Sequence, residues 1–494
     1  MIPGAQAAAR AVPGRAAPIV ALAAVGVATA CAALLSGRPA VVAAPVLVAT
    51  VVWGAWIAPL HGSAGILSFL LLALDDRWNA NGLASSPLSP VGDVLRLSLR
   101  MVVPGTGLPV TGAELSLVAL LGVAAWRRAH GERVPGLVPS PPGVLAVAFL
   151  YPAAIAVAVG IGLGRGGSAE MAVWQTRPLL MAASLFLLYE AAFRGALDHA
   201  LVARVVVAAA VARAILALWL RHVVLAGVAG IEYVTDHGDS MLFSLACVIV
   251  IAHLLERADR SRLEAALVLL PLLVAGMSAN QRRTAWVQLT LGLLVFLVVG
   301  RAAPWRRQIF RAALALLPAV LLYGAAGWSS RAPAFKPVRL VRSIVDSNVD
   351  RSTWDRQVEN WNLAMSMRDH PLVGRGFGHE WTEYMAGDDI TQIFTRYRAQ
   401  PHNQVLGILL FAGPFAFVGI WAPLSLLVLL AARAYPRART PEARAAGLAV
   451  GASAVIIAVQ FFGDLGPFWP QYAVLLALAL ATGGKLAAET GALR

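Results

Sequence analysis

Two arginines stand side by side where an apolar run begins, in Ser278-Ala279-Asn280-Gln281-Arg282-Arg283-Thr284-Ala285-Trp286. A guanidinium entering a membrane span is costly unless it snorkels to the headgroups or meets a partner. A helix start carries the positive end of the helix dipole, so paired guanidiniums there suit a phosphate. For a lone arginine, anchoring to headgroups is an equally good explanation; for an adjacent pair it is weaker. A histidine opens a later apolar run, in Pro401-His402-Asn403-Gln404. An imidazole at a water–membrane boundary can act as a neutral base near physiological pH. Taken alone, such a histidine is more often a hydrogen-bonded structural residue.

Between these two motifs, Gly374, Gly376 and Gly378 alternate around Arg375. Glycines permit positive φ and close backbone approach. A tight loop is the default reading and a phosphate cradle the alternative, although the pattern is not a Walker motif. Further cations in the same class of segment are Arg165, Arg177, Arg396 and Arg398, with Arg177 read as opening a span just before Pro178. Acidic residues occur at Glu232, Asp236, Asp239, Glu380, Glu383, Asp388 and Asp389. Adjacent carboxylates alone are poor metal ligands, so no metal site is expected. No zinc spacing, nucleophile elbow or nucleotide-binding fingerprint is present.

The elements that position these residues follow from composition. Of 494 residues, 59% are hydrophobic and 13% charged, too little polar surface for a soluble domain. Repeated apolar runs match helices crossing a bilayer, and they lack the alternation of a membrane barrel. The expected fold is therefore all-α, a polytopic membrane bundle of about 12–14 transmembrane helices. Candidate spans lie near 17–36, 40–58, 62–74, 112–126, 143–163, 178–193, 200–221, 240–256, 262–276, 284–300, 308–325, 404–431, 446–463 and 467–484. The arginines at an uncleaved first helix (Arg10, Arg15) and in alternate loops (Arg127, Arg128, Arg133; Arg257, Arg260, Arg262; Arg301, Arg306, Arg307, Arg311; Arg433, Arg437, Arg439, Arg444) follow the positive-inside rule. Both termini are then expected in the cytoplasm, and the net charge of +14 needs no nucleic acid to explain it. Cys31 and Cys247 fall inside apolar runs and imply no disulfide framework.

The chain divides into an N-terminal bundle (1–325), one long polar loop on the outer side (326–403) and C-terminal helices (404–494). A long hydrophilic loop in a short-looped membrane protein is the first place to expect activity. Within it Trp354, Val358, Trp361 and Met365 recur at helical spacing. They predict an amphipathic helix, capped at Ser352 and ended by Pro371, whose opposite face shows Arg356, Glu359 and Asn360.

The order of motifs from Ser278 to Gly419 resembles the bacterial O-antigen ligase and O-antigen/exopolysaccharide polymerase superfamily. The carrying features are the arginine entering a helix, the loop helix ending in Asp369-His370-Pro371-Leu372-Val373-Gly374-Arg375-Gly376-Phe377-Gly378, then Pro401-His402-Asn403, then Gly413 and Gly419. The resemblance implies a glycosyltransferase of the bacterial inner membrane working on its outer face, without metal, nucleotide or other cofactor. It would move a glycan from an undecaprenyl-diphosphate carrier to a sugar hydroxyl, on a lipid A core or on another glycan. By the same resemblance Arg283 and His402 are the catalytic pair. Arg282, Arg177, Arg375 and Arg398 are assigned to the donor diphosphate. The choice between Arg282 and Arg283 stays open, because Asn280-Gln281 replaces the small residues usual before the arginine. Expected partners are the lipid-linked glycan, the acceptor, membrane lipids, a flippase and a chain-length regulator. The competing class is a membrane transporter, which should carry charges mid-span and an internal repeat. Neither stands out here.

Overall fold

A computed structural model describes residues 56–493 except 57, 75–85, 87, 97, 99–108, 133, 229, 230, 232, 302, 331, 336, 337, 340, 341, 343–350, 388–390, 392–395, 464 and 469. The expected spans at 17–36 and 40–58 therefore lie almost wholly outside the described residues, as do Arg133, Glu232, Asp388 and Asp389, and the side chain of Ser352. Among the described residues there are fourteen helices and no β-strand. They are α1 (Leu60–Ala73), α2 (Ser89–Arg96), α3 (Gly112–Ala129), α4 (Pro142–Gly164), α5 (Ala169–Ala192), α6 (Ala196–Trp219), α7 (Asp239–Glu256), α8 (Arg260–Asn280), α9 (Arg283–Val299), α10 (Pro304–Gly327), α11 (Arg351–Ser366), α12 (Gln404–Ala434), α13 (Pro441–Gly463) and α14 (Pro470–Thr490). Nine of these are long and apolar enough to cross a membrane, and α1 and α9 are shorter apolar helices. The protein is a polytopic helical membrane protein.

Local chemistry sets the helix starts. Thr111 forms a reciprocal capping box with Glu114 at α3. Ser168, Asp259 and Asn403 accept backbone N–H groups at the starts of α5, α8 and α12. Each satisfies donors that lipid could not. The α5 helix begins well before the expected 178, so Arg177 sits inside a helix that continues through Pro178 rather than at its first turn.

Alternating helix directions sort the ends into two faces. On one, Arg262–Glu442, Arg444–Glu256 and Lys485–Glu190 tie helices together. This is the arginine-rich face. The other, the loop face, carries α11 and the long polar segment. The core is centred on α7, α13 and α14, which are buried along most of their lengths, whereas α10 buries none of its apolar stretch.

The loop is stitched into the bundle at one place. The α12 helix breaks at Gly413 (φ 66°), just before Pro414. The carbonyls freed near the break are taken by the Gly-x-Gly-x-Gly segment: Arg375 N–H donates to Leu410 O at 2.8 Å and Gly376 N–H to Phe411 O at 2.8 Å. On its other side Phe377 N–H donates to Ala158 O at 3.1 Å, and Gly378 N–H to Gln175 Oε1 at 2.6 Å. Gly376 has φ 94°, and a Cβ there would lie 2.1 Å from Gly162 Cα. The glycines thus wedge bare backbone between α4 and α12. A phosphate cradle is excluded for these amides, because each is already spent on protein acceptors.

The loop helix also packs differently from expectation. Val358, Glu359, Asn362, Leu363 and Ser366 are buried, while Trp354 and Trp361 are exposed. The buried stripe is mixed polar and apolar because it docks on a hydrogen-bonding loop rather than on lipid-facing side chains.

Candidate functional site on the loop face

The docked side of α11 meets the start of α12. His402 Nδ1 lies 2.9 Å from Glu359 Oε2, and Asn403 N–H donates to Glu359 Oε1 at 3.1 Å. Asn403 Nδ2 donates to Asn360 Oδ1 at 2.9 Å. Burial pushes the Glu359 carboxyl up, but the hydrogen bonds from His402, Asn403 N–H and Tyr397 outweigh it and hold it below the usual glutamate value. Burial and the adjacent Glu359 carboxylate push the Tyr397 phenol in the other direction, well above its ordinary range. The Tyr397 ring sits 5.7 Å from the imidazole and edge-on to Trp381 at 5.4 Å. The His402 side chain keeps 23% of its surface exposed, so the imidazole is anchored at one nitrogen and open on another edge.

Gly463 and Leu465 link this corner to the start of α9. Leu465 N–H donates to His402 O at 3.1 Å, and Leu465 itself has φ 58°. Two residues earlier, Gly463 stands against Thr284: a Cβ there would meet its Cγ2 and Oγ1 at 3.9 Å. The helix starts bearing Arg283 and His402 therefore border one turn on one face of the bundle. The two arginines differ in setting. Arg282 is the extended residue before α9, and Arg283 is its first helical residue. The Arg282 guanidinium covers the Tyr233 ring at 3.8 Å and donates to His237 Nδ1 at 2.8 Å. His237 O in turn accepts from Gln460, which accepts from Gln288 at 2.6 Å. An arginine can only donate, so His237 Nδ1 must carry a lone pair.

A cavity of about 180 Å³ opens nearby, lined among others by Arg96, Glu114, Trp174, Arg177, Arg396 and Gln400. Arg177 is bonded through two nitrogens to Glu114, the Nε contact being 2.5 Å. Arg396 stacks on Trp174 at 3.5 Å. Arg96 bonds Asp236 at 3.0 Å, which neighbours the fully buried pair Arg213–Asp239 at 2.6 Å. Gln400 and Arg396 belong to the same loop as His402, so the cavity adjoins the imidazole corner.

Of the residues singled out from the sequence, His402, Arg282 and Arg283 come to one region, and Arg177 lines the adjoining cavity. Arg375 and Arg398 are held elsewhere on the loop: Arg375 donates to Thr382 Oγ1 at 2.8 Å, and Arg398 pairs with Glu383 at 2.5 Å. Sequence reasoning missed Glu359, Tyr397, His237 and Arg96. The stripe Val358, Glu359, Asn362, Leu363 and Ser366 is itself helical in spacing, but an apolar count favours the tryptophans. Among the described residues no group of three or more His, Cys, Asp or Glu side chains could hold a metal ion.

Residues 265–421 match the sequence model of the O-antigen ligase family. This region is similar to the O-antigen ligase family. The match runs from early in α8, through both arginines and the whole loop, to the middle of α12, and so contains Arg282, Arg283, Glu359 and His402. The match supports a membrane enzyme of the glycan-transferring ligase and polymerase group. No curated protein matches the chain.

Proposed function

We propose that the protein transfers a glycan from undecaprenyl diphosphate to a sugar hydroxyl on the outer face of the bacterial inner membrane, with both termini cytoplasmic. The loop face is then the extracytoplasmic one. His402 takes the acceptor O–H proton on its open nitrogen, and the oxygen attacks the anomeric carbon. The bond from that carbon to the diphosphate oxygen breaks as the new glycosidic bond forms. Attack opposite a departing diphosphate inverts the anomeric configuration. Arg283, with Arg282, neutralises the charge gathering on the leaving diphosphate. Arg177 faces the adjoining cavity, where the donor headgroup or first sugar enters. Arg375 and Arg398 serve the loop. The segment 326–403 is the catalytic cover between two membrane units, 1–325 and 404–494, and excludes water from the departing group. A second glycan is favoured over a lipid A core as acceptor, because nothing in the chain points to lipid A.

The observation that supports this most is the adjacency of an imidazole with an open edge and the arginine-bearing start of α9, through Gly463 and Leu465. The test is transfer by purified protein supplied with undecaprenyl-diphosphate glycan. A ladder of products indicates polymerisation, and a single addition to lipid A core indicates ligation. Release of free glycan alone, with every acceptor tried, would refute transfer.

A further inference from the structure

We infer that Glu359 is a positioning residue that fixes the protonation pattern of His402 and couples it to docking of the loop helix. This rests on the assignment of His402 as the base. A carboxylate only accepts hydrogen bonds, so the 2.9 Å contact requires a proton on His402 Nδ1. In the neutral imidazole that leaves the lone pair on Nε2, the nitrogen on the open edge. Free imidazole side chains favour the opposite tautomer, so the protein has to impose this one. Glu359 is placed to do so: its side chain is 1% exposed. Its other oxygen is held by Asn403 N–H at 3.1 Å, the residue that caps α12. When Nε2 takes the acceptor proton, the imidazolium keeps both N–H groups and Glu359 remains the acceptor for Nδ1–H. No proton needs to reach the carboxylate.

The second consequence is mechanical. Glu359 belongs to α11 and His402 to the start of α12, 43 residues apart in the chain. The loop helix is held by its own contacts as well: Asn362 Oδ1 accepts from Tyr384 N–H at 2.9 Å and Met385 N–H at 2.8 Å. The imidazole is therefore set only when α11 is docked. A base assembled by its own cover is idle while the site is open to water.

The test uses the full chain in lipid nanodiscs with ¹⁵N-labelled histidine, the His402 signals being assigned by difference from His402→Gln. The wild type should show the Nδ1–H tautomer. Glu359→Ala should shift His402 toward the Nε2–H form and lower kcat by about 10²–10³-fold, with KM changed less than about threefold. Glu359→Gln keeps a carbonyl acceptor for Nδ1–H and should retain the tautomer, with a loss of about tenfold. Asn362→Ala tests the coupling: it removes contacts that hold α11 without touching the imidazole, so it should shift part of the His402 population toward the Nε2–H form and lower kcat in proportion, by less than Glu359→Ala. An unchanged tautomer in Glu359→Ala, or a loss of kcat in Asn362→Ala as large as in Glu359→Ala with the tautomer unchanged, would overturn the proposal and leave Glu359 as a fastener. Full transfer by His402→Gln would instead sink the base assignment itself, whatever Glu359 does.

Discussion

Two glycines in α4, one half-turn apart, give the sharpest test of how the loop is seated. A Cβ at Gly160 would meet nothing within 4 Å. At Gly162 it would lie 1.8 Å from Phe377 O, 2.8 Å from Phe377 C and 2.9 Å from Gly376 C. Both positions are helical, so Gly→Ala gains up to about 1 kcal/mol of helix propensity at either. Gly160→Ala should therefore be neutral or slightly stabilising. At Gly162 the obstacle is backbone, which has no rotamer to escape into. Relief requires the Gly376–Phe377 segment to move away, loosening Phe377 N–H to Ala158 O (3.1 Å) and the His379 Nε2 contact to Gly162 O (3.2 Å). Overpacking of this kind costs about 1–3 kcal/mol and each weakened hydrogen bond about 1 kcal/mol. The net expectation for Gly162→Ala is a loss of about 2–4 kcal/mol. The assay is thermal unfolding in detergent followed by a thiol-reactive dye. Cys247 is buried and free, so its reaction reports opening of the core; Cys31→Ser removes the other thiol. If Gly162→Ala melts together with Gly160→Ala, the wedge between α4 and α12 does not exist as described.

Three further outcomes follow from the same geometry. Arg177→Ala and Glu114→Ala should each destabilise, Glu114→Ala more because it also removes the carboxylate that accepts from Thr111 N–H. With side chains 16% and 24% exposed, a double-mutant cycle should give a coupling of about 1–2 kcal/mol; additive losses would argue against the pair. Acid should release the loop helix late. The Glu359 carboxyl is held below its unfolded value, about 4.3. Its stabilisation is then complete above that pH and lost as pH falls through the lower folded value. Hydrogen exchange at Tyr384 and Met385, corrected for intrinsic rates, should stay slow from pH 7 to about 5, and loosening within that window would contradict the sign. Arg282→Ala should weaken the Tyr233–His237 corner, whereas Arg283→Ala should abolish transfer with the fold intact. Equal transfer by Arg283→Ala and wild type would remove Arg283 from the mechanism.

Much of this architecture was legible in the residues because lipid imposes simple rules. Apolar runs, arginine-rich alternate loops and a single long polar segment led to helices now seen at α3 to α10 and α12 to α14. Helix starts shifted where caps, not hydropathy, decide them, as at Ser168 nine residues ahead of Arg177. His402 and the arginine pair stood out because charge at a membrane boundary is conspicuous. Glu359 did not, because its importance depends on a partner 43 residues away, and a carboxylate on a loop helix looks solvated until that partner is known. The glycine triplet was visible, but its purpose was not: only the break at Gly413 explains which carbonyls those amides must satisfy.

The most direct test of the proposed chemistry is single-turnover transfer followed at both ends of the bond. Undecaprenyl-diphosphate glycan and acceptor are mixed with wild-type protein and with His402→Ala, and freed undecaprenyl diphosphate is measured by ³¹P NMR alongside glycan gained by the acceptor. Wild type should release one diphosphate for each glycan transferred, and His402→Ala should slow both by about 10²–10⁴-fold. Undiminished, matched release and transfer by His402→Ala would show that the imidazole on the loop face is not the base.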